Sequence, residues 1–257
     1  MTDLHTTTAP VLDAHGTVVL VHGIGEHSGR YAHVIDALNR ARWSVVAYDQ
    51  RGHGRSPGPR GVLPREDTLL EDLAQILDET KAKPLVLLGH SMGGLVAARF
   101  VADERRPVDA LVLSSPALKL RLKLADRIKL ALGTALAPDA ALSNGFNASK
   151  LSHDPEVVRA YRNDPLVHDK VGPRLANFII DSGRIVRRRA SQWRVPTLLM
   201  WAGHDRVVDA DGSREFAAAA PRDVVTTREF PKLYHEILNE GDASVFETML
   251  NWLPVVQ

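Results

Sequence analysis

Gly89-His90-Ser91-Met92-Gly93-Gly94 follows the aliphatic run Leu85-Val86-Leu87-Leu88 and leads into a helix-like stretch from Leu95 to Val101. Strand, G-x-S-x-G, helix is the context in which that motif denotes a nucleophile elbow. The serine is forced into a tight turn, with small glycines on either side so that neighbouring backbone does not clash. Its hydroxyl stands clear of the strand end, and the free N–H groups of the new helix point toward the same spot. An isolated match would also suit a Gly-rich turn carrying an idle serine. Three other segments argue against that here.

Outward from the elbow, apolar runs of strand length alternate with segments of helical period. Strands are predicted at 17–21, 43–48, 85–88, 110–114, 197–201 and 224–229, and helices at 31–41, 69–81, 95–104, 213–219 and 243–253. Buried strands alternating with helices predict an α/β fold, a mostly parallel central sheet with helices on both faces. In such sheets ligands bind at the carboxyl ends of the strands. His22-Gly23, Asp49, Ser91, Ser115 and Asp205 all fall just after strand ends.

Segment 116–194 breaks the alternation and reads as a helix-rich insertion. The expected division is a first core part over 1–115, a helical cap or lid over 116–194, and a second core part over 195–257. Within the insertion, Lys119, Arg121, Lys123, Arg127 and Lys129 stand among leucines, and Arg184-Ile185-Val186-Arg187-Arg188-Arg189 is a second basic cluster. One reading is a solvated helix face whose aliphatic stems cover apolar surface. The sharper one is a lid resting on anionic lipid head groups. The balanced total charge favours the first.

The chain has 257 residues with 32 Lys and Arg against 31 Asp and Glu, a net charge of +1, and no cysteine. Length and composition fit one domain with an insertion. The charge balance gives no reason to expect nucleic acid. Without cysteine there is no disulfide, thiolate nucleophile or thiolate metal site, which fits a cytoplasmic protein but also permits secretion by other routes. Residues 1–10 are polar and threonine-rich, unlike a signal peptide. No apolar run is long enough to span a bilayer. The expectation is a soluble protein that meets a membrane only from the surface.

An alcohol is a poor nucleophile at neutral pH, so Ser91 needs a base to take its proton and an acid to orient that base. After such an elbow the chain order is nucleophile, acid, base. Downstream histidines stand at 153, 168, 204 and 235. His153 and His168 fall in the insertion, away from the sheet, and His204 sits in a strand-end loop beside Asp205. His235 follows the last strand, where a loop can fold back to the elbow, and is chosen as the base. Asp205 is the acid, with Gly203 allowing the turn before it. Asp209 and Asp211 are rivals further along, Asp211 being expected to cap the next helix. Asp181 lies inside the insertion.

A developing oxyanion needs preorganised N–H donors. Met92, just after the nucleophile, supplies one, and Ile24 in the loop 22–28 is the expected second. Two decoys fail. Gly23-Ile24-Gly25 has Ser28 where a dinucleotide fingerprint needs its third glycine, and His235-Glu236-Ile237-Leu238-Asn239 lacks the second histidine of a zinc motif. No cofactor and no metal are expected.

Six segments resemble the monoacylglycerol lipase family, lysophospholipase-like serine hydrolases. They are 22–31 (His-Gly-Ile-Gly-Glu-His-Ser-Gly-Arg-Tyr), 49–56 (Asp-Gln-Arg-Gly-His-Gly-Arg-Ser), 89–94, Ser115-Pro116-Ala117-Leu118, Asp164-Pro165-Leu166-Val167 and Tyr234-His235-Glu236. The match runs along nearly the whole chain. Gly25-Glu26-His27-Ser28-Gly29-Arg30-Tyr31 is far more family-specific than the elbow. The resemblance implies an α/β-hydrolase core with a helical cap, and hydrolysis of monoacylglycerols to glycerol and fatty acid. It supports Ser91, Asp205 and His235 as the triad and Ile24 and Met92 as oxyanion donors. It also implies that Glu26, Arg30 and His90 line or support the polar end where glycerol leaves. For Glu26 and Arg30, an ion pair that stiffens the loop is an equal alternative. Asp49 is expected to tie down the loop 52–58. The expected partner is a small lipid ester, with transient membrane-surface contact through the cap. A lysophospholipase, a broad carboxylesterase and a non-catalytic binding protein of the same fold are the rival readings.

Overall fold

The computed structural model describes residues 3–80, 82–121 and 124–253, and among these the side chains of all but 124–129. Lys123 therefore lies outside the described residues, as do the side chains of Arg127 and Lys129. Along the chain run β1 (Thr6–Ala9), β2 (Gly16–Val21), α1 (Ala32–Arg40), β3 (Trp43–Tyr48), α2 (Thr68–Thr80), β4 (Leu85–His90), α3 (Met92–Ala102) and β5 (Ala110–Ser114). Then come α4 (Leu124–Leu136), β6 (Leu142–Ser143), α5 (Pro155–Asn163), β7 (Lys170–Val171) and α6 (Pro173–Arg189). The chain closes with β8 (Thr197–Ala202), α7 (Asp211–Ala219), β9 (Val225–Phe230) and α8 (Ala243–Trp252).

Among the described residues the main sheet has the order β1-β3-β2-β4-β5-β8-β9. Its strands run parallel except β1, which pairs antiparallel with β3 at the edge. Because side chains alternate across a strand, the unbroken aliphatic runs feed two cores at once. Val19, Val21, Leu87, Leu111, Leu113 and Leu199 join Leu73, Phe100, Val186 and Phe216 on one face. Val18, Leu20, Val86, Leu88, Val112 and Leu198 join Leu38 and Met249 on the other. Each such side chain stabilises the fold by roughly 1.5–3 kcal/mol on burial. This is the α/β-hydrolase fold, and it brings the carboxyl ends of β2, β4, β5, β8 and β9 to one rim.

Three features differ from the sequence pattern. β1 is unannounced, because Thr6-Thr7-Thr8-Ala9 is an exposed edge with no apolar alternation. The helix predicted over 31–41 begins as a 3-10 turn over Ser28–Tyr31 before α1. α3 starts at Met92, directly after Ser91, rather than at Leu95.

Segment 116–194 is uneven in its packing. α5 buries no residue, and β6 and β7 form a small antiparallel ladder. α6 instead packs against α3 and α7, and its Leu175, Phe178, Ile179 and Val186 belong to the same core as the sheet. Several described members of the basic clusters are ion-paired. Lys119 and Arg187 share Glu215, Arg184 meets Asp181, and Arg189 meets Asp103.

Candidate active site

Ser91 adopts φ 53° and ψ −118°, a conformation side chains other than glycine rarely take. The surroundings impose it. Ser91 N–H donates to the Ser114 carbonyl on β5 at 2.9 Å, and the Ser91 carbonyl accepts from Leu95 N–H in α3 and from Ala117 N–H, each at 3.0 Å. Close approach of α3 to the sheet requires glycine beside it: a Cβ at Gly93 would lie 2.1 Å from the Val21 carbonyl oxygen, and one at Gly89 2.5 Å from the Gly93 carbonyl oxygen. The turn from β4 to α3 is thus held on both sides by close backbone packing.

The loop after β9 folds back over the sheet rim and brings His235 to the elbow. His235 Nε2 lies 2.8 Å from Ser91 Oγ, and its Nδ1 lies 2.7 Å from Asp205 Oδ2. With a carboxylate at Nδ1 the ring proton belongs there, which leaves Nε2 to accept the serine hydroxyl. The other oxygen of Asp205 accepts from Val207 N–H at 2.8 Å and Val208 N–H at 2.9 Å, so the carboxylate cannot turn away. All three side chains are buried. Burial opposes charging His235, but the Asp205 carboxylate and its hydrogen bond outweigh that and hold the imidazole pKa above the ordinary 6.5. Burial would raise Asp205, and the His235 interaction with the two amides overcomes it, so its pKa is lowered.

The rejected histidines and acids stand elsewhere. His153 pairs with Glu240, His168 faces the Gly52 carbonyl, and His204 is exposed. Asp181 pairs with Arg184, and Asp209 with Lys119. Asp211 does not cap α7 as expected. It is the first residue inside the helix and meets Arg214, while Ala210 occupies the cap position without a side-chain hydrogen bond.

Ile24 and Met92 both border the same cavity as Ser91. Among the described residues neither backbone amide has a hydrogen-bond partner, so both donors are open to a ligand. Glu26 holds the loop that carries Ile24. Its Oε1 accepts from Gly23 N–H and from the Tyr31 hydroxyl, each at 2.6 Å, and its Oε2 accepts from Arg30. Arg30 donates both guanidinium ends to Glu236, at 2.7 Å each, one residue from His235. This buried trio ties the oxyanion-side loop to the histidine loop. Burial works against the Glu26 carboxylate, but Arg30 more than compensates and its pKa is lowered. Glu26 borders the cavity and Arg30 does not, while the two side chains form an ion pair within the loop. Such pairs fix geometry more than they add stability.

The His90 ring lies tilted, its centroid 4.9 Å from that of His235, and bonds Ser114 Oγ through Nδ1 at 3.1 Å. Burial, then the neighbouring His235, push its pKa down to about 3. It stays neutral and puts no like charge beside an imidazolium. Asp49 accepts from Ser28 N–H and Oγ through one oxygen and from Arg55 N–H through the other, which fastens both strand-end loops.

Residue types alone did not single out Tyr161 or the partner of His27. Tyr161 on α5 lies with its ring 4.8 Å from the Arg30 guanidinium, and His27 bonds Asp164 at 2.8 Å. The Asp164-Pro165 segment was one signal available for the second contact. Nothing in the local pattern of the strongly polar α5 marks Tyr161.

A cavity of about 230 Å³ opens above Ser91. The inserted segment roofs it with Phe146, Leu151, Tyr161, Val171 and Ile179, and its floor carries Ser91, Met92 and His235. Glu26, Glu236 and His90 give it one polar region, while Ala117, Leu120, Val207 and Val208 are apolar. No helix among the described residues is long and apolar enough to cross a membrane.

Comparison with known proteins adds four findings. The family described as serine aminopeptidase, S33 matches residues 13–242. The monoacylglycerol lipase of Mycolicibacterium smegmatis is 34% identical over 253 residues, 95% of this chain and 90% of that one. Phospholipase YtpA of Bacillus subtilis is 31% identical over 232 residues, 88% of this chain and 89% of that one. Among solved structures, the Paleococcus ferrophilus monoacylglycerol lipase superposes with a TM-score of 0.92 at 31% identity, covering 99% of this chain and 100% of that one.

Proposed function

The chain belongs to the serine aminopeptidase S33 family, and on that premise we propose that it is a serine hydrolase cleaving monoacylglycerols to glycerol and free fatty acid. The observation that carries the reading is the continuous Asp205–His235–Ser91 hydrogen-bond chain ending in a cavity that is apolar on one side. Relatives described as monoacylglycerol lipases support the substrate class.

In the proposed mechanism Ser91 Oγ attacks the ester carbonyl carbon as its proton passes to His235 Nε2. The carbonyl oxygen becomes an oxyanion held by the Ile24 and Met92 amides. Asp205 stabilises the imidazolium without taking the proton. Collapse breaks the C–O bond to glycerol, and His235 Nε2 returns the proton to that leaving oxygen. Water then enters, gives a proton to His235 and attacks the acyl carbon, and fatty acid departs as the proton goes back to Ser91. In this reading the acyl chain lies along the apolar wall and glycerol near Glu26, Glu236 and His90, a placement that the residues lining the cavity support.

A lysophospholipid reading has one finding in its favour, the phospholipase relative. The polar region speaks against it. Glu26 and Glu236 share the single guanidinium of Arg30, which leaves formal negative charge where a phosphate would lie. Monopalmitoylglycerol is therefore expected to show kcat/KM at least about tenfold above palmitoyl-lysophosphatidylcholine, a gap of about 1.4 kcal/mol, with glycerol and palmitate released in equal amounts. Preference for the lysophospholipid would overturn this substrate.

Leu132, Leu136 and Leu142 are exposed on the inserted segment and suit transient contact with the lipid aggregate that delivers the ester. Leu136→Glu is expected to reduce co-sedimentation with phosphatidylcholine vesicles several-fold. Unchanged partitioning would remove that contact from the proposal.

A further inference from the structure

We infer that Leu120 and Ile179 form a fixed partition that sets the longest acyl chain the catalytic cavity accepts. This rests on the reading of the site as an acyl-ester hydrolase. Among the described residues the cavity above Ser91 shares lining with two others. On one side it shares Phe146, Tyr161 and His168 with an open depression bordered by Arg162, Asp164 and Asp169. On another, Leu120 and Ile179 are the described residues it shares with a second cavity of about 160 Å³. An acyl chain leaves water best along the apolar side. Its far end therefore meets Leu120 and Ile179, and unused space lies directly behind them.

The partition is held from both flanks. Leu120 follows a segment clamped to two helices. The Leu118 carbonyl accepts from Arg187 of α6, and the Lys119 carbonyl accepts from Asp209 N–H at 3.0 Å, just before α7. α6 lies so close that a Cβ at residue 183 would come 2.3 Å from the Leu118 carbonyl oxygen, which glycine avoids. Ile179 stands one turn before Gly183 on the same face of α6 and is buried. A wall anchored in this way does not collapse when a side chain is shortened, so the removed volume stays open.

Beyond the partition the second cavity is bordered by Lys119, Arg184 and Arg187. Their heads are engaged with Glu215 and Asp181. Their methylene stems remain as an apolar surface for a longer chain.

The test is a chain-length series of monoacylglycerols, octanoyl to stearoyl, on the wild type, Leu120→Ala, Ile179→Ala, the double alanine variant and Leu120→Trp. Rates are normalised to the amount of Ser91 titrated with a fluorophosphonate, so that only folded, competent protein is counted. The ratio of stearoyl to octanoyl turnover is expected to rise about tenfold in the double alanine variant and to fall by a similar factor in Leu120→Trp. A ratio within about twofold of the wild type in every variant overturns the partition. The same series as p-nitrophenyl esters separates the two readings. A shifted ratio on those esters without monoacylglycerol turnover overturns the substrate and keeps the partition. An unshifted ratio with monoacylglycerol turnover does the reverse.

Discussion

Ser91→Ala is expected to lower kcat for ester hydrolysis by about a million-fold while leaving the fold intact. The size follows from the way the site works as a unit. His235 has one acceptor nitrogen aimed at Ser91 Oγ at 2.8 Å, and its other nitrogen is committed to Asp205. Without the hydroxyl the base has nothing to deprotonate, and what survives is binding plus the oxyanion donors acting on water. The fold survives because alanine keeps the same Cβ at φ 53°. The turn is enforced by the Ser114 carbonyl, α3 and Gly93, none of which involves the hydroxyl. Circular dichroism and kcat measured together check the result. A variant that keeps more than about one per cent of wild-type turnover would contradict the assignment.

Asp205→Asn is expected to cost about ten-thousand-fold in kcat and to move the acid limb of the pH profile downward. Two effects combine. The asparagine can still accept from Val207 and Val208, but it then presents its NH₂ to His235 Nδ1. That favours the tautomer with the proton on Nε2, which cannot accept from Ser91. The pH effect has a definite sign. In the wild type the carboxylate holds the His235 pKa above 6.5, so activity rises as pH climbs through that raised value. In the variant burial remains and the carboxylate is gone, so the residual activity titrates at lower pH. An acid limb displaced upward, or a plateau within tenfold of the wild type, would contradict the assignment.

Much of this site could be read in the chain because its parts are local signals tied to strand ends. Ser91 sits between a buried strand and glycines that nothing else could replace. Asp205 and His235 follow β8 and β9 in the required order. The parts that escaped depend on contacts between distant segments. β1 is held by pairing with β3 rather than by any apolar pattern of its own. Arg30 and Glu236 are 206 residues apart, so the sequence left open whether Glu26 and Arg30 touch substrate or stiffen a loop. Tyr161 comes from a helix with no buried face. α6 lies in the segment 116–194 that breaks the strand–helix alternation, and its packing into the core beside α3 comes from contacts between distant segments that the local pattern does not carry. Asp211 had the residue type of a cap, but the turn begins one residue sooner, and an ion pair with Arg214 takes its carboxylate.

In the proposed reaction Ser91 takes an acyl group from a monoacylglycerol held in the cavity above it. The direct measurement is peptide-mapped labelling with a long-chain alkyl fluorophosphonate in the presence of rising monopalmitoylglycerol. One adduct is expected, on the peptide carrying Ser91, formed more slowly as the glyceride concentration rises. An adduct on another residue, or a labelling rate that the glyceride leaves unchanged, would contradict it.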